Sequence, residues 1–124
     1  MRPIHFECQS PDPASTMEFF SKALGWEFEG WHDFPYWLAT TGPEEQPGIN
    51  GAVMPAPDSQ PRTVMVMEVP DIVQALEGVT SAGGEMVMPV QDIPGVGQSA
   101  YCRDPQGLLF GLFQGLPADP SEGS

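Results

Sequence analysis

The side chains able to move a proton or hold a cation are two histidines and 17 Asp and Glu residues, against four Lys and Arg. His5 and Glu7 alternate along one stretch, and Glu68 lies in a second stretch of similar texture. An imidazole beside carboxylates is the combination used for acid–base work or for a hydrogen-bonding contact to a ligand. The same pattern also arises when an acidic chain places a carboxylate near a histidine for structural reasons, so both readings stand for His5. His32 falls in a loop and reads as solvated. Trp31, Tyr36 and Trp37 are able to stack on a planar ligand, but filling of a core or an interface is the preferred reading. Cys8 and Cys102 have no zinc-type spacing and no basic neighbour, so they read as buried thiols in a reducing compartment. No G-x-S-x-G elbow, P-loop or dinucleotide fingerprint is present.

These residues need a scaffold, and the sequence repeats one. Shifted by 59 positions, 5–28 and 64–87 align without a gap. Pro11/Pro70, Asp12/Asp71, Glu18/Glu77, Ala23/Ala82 and Gly25/Gly84 are identical, at turn and helix-boundary positions. Residues 4–9 alternate, with Ile4, Phe6 and Cys8 on one face and His5, Glu7 and Gln9 on the other, which predicts a strand. Asp12 before Pro13 predicts a capped helix that Gly25 ends. Strands are predicted at 26–31, 36–41 and 48–54. The second module repeats the plan: a strand at 64–69, a helix after Asp71 that Gly83-Gly84 stops, and strands at 85–90, 98–103 and 108–113. By the same alternation Met65 and Met67 face the helix layer. The predicted class is α+β, two tandem βαβββ modules in one domain over 1–114. Module one covers 3–54, a proline-rich linker 55–62 and module two 63–114, with a flexible tail at 115–124. A ferredoxin-like dimeric α+β barrel, βαββαβ with only four strands, fits the self-match less well.

The formal charge is −13 at pH 7, which disfavours nucleic acid and anionic membrane surfaces as partners. No apolar run approaches a membrane span, and no leader pattern follows Met1, so a cytoplasmic location is expected. A cationic ligand suits the sign of the charge.

The stretches HFECQSPDPASTMEFFSKALGWEFEGW and YCRDPQGLLFGLFQ, in a paired βαβββ plan, resemble the vicinal oxygen chelate superfamily, which includes glyoxalase I, extradiol dioxygenases and bleomycin-resistance proteins. The resemblance covers 2–114. It implies an open, barrel-like cleft that binds a substrate or drug, and a homodimer. Metal-dependent members of that superfamily take ligands from the first and last strand of each module. By the repeat register these positions are His5, Ala52, Val64 and Gly111, and only His5 carries a donor atom. No metal and no other cofactor is therefore expected. A divalent ion displaced toward His5, Glu7 and Glu68 is the alternative. The expected cleft residues are His5, Glu7, Asn50, Ala52, Val64, Glu68, Gly111 and Trp37, with His5, Glu7 and Glu68 as catalytic candidates if there is catalysis. The expected function is metal-free binding of a small cationic or aromatic molecule. The alternative is a lyase or isomerase acting on a carbonyl compound.

Overall fold

The computed structural model of the chain describes residues 1–116. It contains eight strands and two helices in the order βαβββ, twice, an α+β fold. They are β1 (Arg2–Ser10), α1 (Pro13–Leu24), β2 (Glu27–Gly30), β3 (Trp37–Thr40), β4 (Gly51–Pro55), β5 (Arg62–Glu68), α2 (Ile72–Ser81), β6 (Glu85–Ile93), β7 (Gly97–Arg103) and β8 (Leu109–Gly115). The chain divides into two compact units, Pro3–Met65 and Val66 onward with Met1–Arg2, so the boundary falls within β5 rather than in the proline-rich linker.

In the first unit the strand order is β2-β3-β4-β1. β1 pairs in parallel with β4, while β2–β3 and β3–β4 are antiparallel. The helix starts as its sequence dictates: the Asp12 side chain accepts from the Ser15 amide at 3.2 Å, and proline occupies the first turn. Gly25 closes it in the left-handed conformation, with φ at 74°. The β1 face carrying Phe6 meets an aromatic cluster. Trp26 stacks on Phe20 of α1 at 4.6 Å and lies 5.6 Å from Phe6, centroid to centroid. Gly51 makes the β1–β4 approach possible, because a Cβ there would stand 2.5 Å from the Phe6 carbonyl oxygen.

The second unit orders its strands β5-β8-β7-β6, with β8–β7 and β7–β6 antiparallel. Asp71 repeats the helix cap, accepting from the Gln74 amide at 3.1 Å. The Ile72 amide donates to Gln114 Oε1 at 2.8 Å, which ties the start of α2 to β8. Ile72, Val69, Ala100, Cys102 and Leu112 form an aliphatic core, with Met67 packed against it.

Several boundaries differ from the sequence reading. β4 begins at Gly51, three residues later than expected, because Asn50 is engaged elsewhere: its Oδ1 accepts from the Thr41 amide at 2.9 Å. Met65 is exposed rather than packed under a helix. β6 runs on to Ile93 with register irregularities around Met88. Gly115 belongs to β8 and the Leu116 amide donates to Val96, so the ladder continues into the expected tail. The rest of that tail, 117–124, lies outside the described residues.

Candidate functional site

β1 has one face against the helix side and one face away from it, and the polar residues His5, Glu7 and Gln9 share the latter. The parallel register pairs Glu7 with Ala52, and Ala52 with Leu38 across β3. Paired residues project to the same side of a sheet, so these three side chains are neighbours on one surface. Tyr36, two residues before Leu38, follows the same alternation. Its hydroxyl donates to Glu7 Oε2 at 2.7 Å and lies 2.9 Å from His5 Nε2. His5, Tyr36 and Glu7 thus form a continuous hydrogen-bonded chain, contributed by β1 and the loop before β3.

That loop is built to hold Tyr36. The Trp31 amide donates to the Tyr36 carbonyl at 3.0 Å, and the Tyr36 amide donates to Phe34 at 2.8 Å. The Trp31 ring stacks on Phe34 and meets Tyr36 edge-on at 6.2 Å. His32 adopts a positive φ of 54° within the turn and packs edge-on against Trp31.

The electrostatics follow from burial. Glu7 is only 5% exposed, an uncommon position for a carboxylate, and the Tyr36 hydroxyl is among its partners. Burial pushes the His5 imidazole below its ordinary value of 6.5, and the negative Glu7 opposes that shift. Further along the same face, buried Gln9 accepts from Arg62 Nη1 at 2.7 Å. The other arm of Arg62 donates to Asp58 and holds that carboxyl down to about 2. Burial raises both thiols, Cys8 and Cys102, above the usual range, which argues against thiolate chemistry at either.

The remaining expected site residues distribute as follows. Ala52, paired with Glu7, is fully buried. Asn50 is exposed and clips Thr41. Trp37 pairs with Gly30 and Val53, on the opposite face of the sheet from Ala52. Val64 is fully buried. Glu68 and Gly111 belong to the second unit. There a Cβ on Gly111 would meet Val66 at 3.2 Å and the Tyr101 ring at 3.4 Å, so those side chains occupy the space a larger residue would need. The sequence singled out Tyr36 only as a ring for stacking or for filling a core or interface, and it was absent from the expected cleft residues. The signal for it was strand parity: small, buried Ala39 marks the helix-facing side of β3, which sends Trp37 to that side and Tyr36 to the other.

The donor set does not fit a metal of the superfamily type. Ala52 offers a methyl group, Tyr36 occupies the Nε2 edge of His5, and among the described residues no three His, Cys, Asp or Glu side chains converge.

A paired βαβββ fold with a polar face on the first strand defines a class, and the sequence agrees with it. A model of the Glyoxalase/Bleomycin resistance protein/Dioxygenase superfamily matches residues 2–112, and the chain belongs to that superfamily. Two curated relatives are both called "Putative glyoxylase CFP32", from Mycobacterium tuberculosis (strain CDC 1551 / Oshkosh) and Mycobacterium bovis (strain ATCC BAA-935 / AF2122/97). Each is 28% identical over 120 residues, 90% of this chain and 45% of the relative. The chain therefore spans about half the length of these relatives. Among solved structures, methylmalonyl-CoA epimerase from Mycobacterium tuberculosis superposes with a TM-score of 0.65 at 15% identity, over 98% of this chain and 91% of its own. Hypothetical protein BH1468 from Bacillus halodurans C-125 gives 0.68 at 12% identity, over 95% and 96%. At these identities the likeness is one of fold.

Proposed function

We propose that the chain binds a small cationic, aromatic molecule on the polar face of the first unit's sheet, without a divalent ion. The observation that carries this reading is the His5–Tyr36–Glu7 chain, in which the imidazole and the carboxylate are each bonded to a tyrosine hydroxyl rather than grouped with further donors around a shared cation. A buried carboxylate and a formal charge of −13 favour a cation. The aromatic loop 31–36 beside Tyr36 offers rings for stacking. Benzylammonium is a simple probe of this chemistry. It is expected to raise the melting temperature equally with and without EDTA, since a ligand that binds only the folded state stabilises it by mass action. A shift that disappears with EDTA, or a transition metal found at stoichiometric occupancy, would overturn the metal-free reading.

A second reading has its own support. A neutral imidazole backed by a tyrosine and a carboxylate has the makeup of a general base, and in this reading His5 abstracts a proton next to a carbonyl in lyase or isomerase chemistry. Names of similar proteins, a glyoxylase and an epimerase, are consistent with that class. Deuterium exchange at the α-carbon of carbonyl compounds, lost in His5→Gln, distinguishes catalysis from binding alone.

Two further assignments belong to the proposal. A homodimer is supported by β6, where Met86, Val87 and Met88 are all exposed on an edge strand. A reducing, cytoplasmic setting is supported by the two free cysteines.

A further inference from the structure

We propose that Tyr36 is a positioning residue that fixes His5 as its Nε2–H tautomer and so makes Nδ1 the atom that accepts a ligand's hydrogen. The Tyr36 hydroxyl has a single hydrogen, and it is donated to Glu7 Oε2. The bond between Tyr36 and His5 Nε2 must then be made by a hydrogen on the ring nitrogen, with the tyrosine oxygen accepting. A neutral imidazole with its hydrogen on Nε2 carries its lone pair on Nδ1. No protein group among the described residues bonds to Nδ1. The backbone bonds of Tyr36 to Trp31 and Phe34 hold the hydroxyl where it enforces this direction.

The consequence for binding rests on the reading of the site as a small-molecule site. The ligand group that meets His5 is a hydrogen-bond donor, such as an ammonium or hydroxyl, rather than a carbonyl oxygen. This narrows the cationic class to ions that carry N–H. Glu7 acts on His5 through Tyr36 and through its charge.

Nitrogen-15 spectra of ring-labelled histidine report the tautomer directly. The chain has two histidines, so His32→Gln assigns the signals. At pH 8 the full-length protein is expected to show a protonated, pyrrole-like Nε2 and a pyridine-like Nδ1 for His5. Tyr36→Phe keeps the ring but removes the relay, and the His5 signals should move to a mixed pattern. Glu7→Gln keeps the shape but introduces an amide that is able to donate to Tyr36, so it should also relax the bias. An Nδ1–H pattern in the unsubstituted protein, or no change in either variant, overturns the assignment. Benzylammonium and benzyltrimethylammonium carry the same charge, but only the first has N–H. The first is expected to shift Nδ1 and the second to leave it. Equal shifts from both would overturn Nδ1 as the acceptor. Binding of neither would count against the cationic ligand class, while the tautomer pattern decides the role of Tyr36.

Discussion

The two repeats share one plan and use it differently. At shared positions of the first strand, His5 and Glu7 of one unit correspond to Val64 and Val66 in the repeat. Ala52 corresponds to Gly111 and Tyr36 to Gly95. The first unit arranges a hydrogen-bonded chain on the sheet face away from its helix. At the matching place the second unit closes Val66 and Tyr101 over Gly111. The helix sides differ too. α1 has no fully buried residue and packs through aromatic rings, whereas α2 buries Ile72 in an aliphatic core. The two copies share the aspartate N-caps and the strand order, and differ in carrying a hydrogen-bonded polar chain in one and apolar packing in the other.

This contrast can be broken at its strongest point first. Ile72→Ala removes a fully buried side chain from the second core and is expected to cost about 2–5 kcal/mol in denaturant unfolding. Phe19→Ala on exposed α1 should cost far less, and a similar loss for both would contradict the asymmetry between the helices. Gly51→Ala forces β1 and β4 apart, with an expected loss of roughly 1–3 kcal/mol by the same measurement. The helix caps test what the repeats still share. Asp12→Ala and Asp71→Ala should each cost about 1 kcal/mol, and a loss in only one would mean that the start of the other helix is held by different contacts.

A smaller effect sharpens the comparison through pH. Because the folded state holds the His5 pKa below the unfolded value of 6.5, neutral His5 is compatible with the fold and protonated His5 is disfavoured. Its contribution is intact above about pH 6.5 and is lost as the pH falls through the lowered folded value. Melting curves between pH 8 and pH 5 should therefore fall more for the unsubstituted protein than for His5→Gln. Parallel curves would show that burial does not discriminate against the charged imidazole.

Much of the scaffold was legible in the sequence because it depends on local rules. Asp12-Pro13 and Asp71 announce helix starts through side chains that bond amides three residues on, and the alternation of 4–9 separates the faces of β1. His5 and Glu7 follow from that alternation. What the sequence left open depends on contacts distant along the chain. Tyr36 lies 29 residues from Glu7 and becomes a partner only once β3 adopts its register. Asn50 carried a polar side chain on the expected face, but Thr41 engages it. The packing of Val66 and Tyr101 against Gly111 likewise joins three strands, and no residue type announces it.

The central claim is that the first unit's polar face, and not the matching face of the second unit, receives the ligand. Backbone nitrogen-15 correlation spectra recorded during a titration with benzylammonium in the presence of EDTA test it most directly. The account predicts saturable shifts centred on His5, Glu7, Tyr36 and Leu38, attenuated in Tyr36→Phe. Shifts centred on Val66, Tyr101 and Gly111, or shifts that require an added divalent ion, would contradict it.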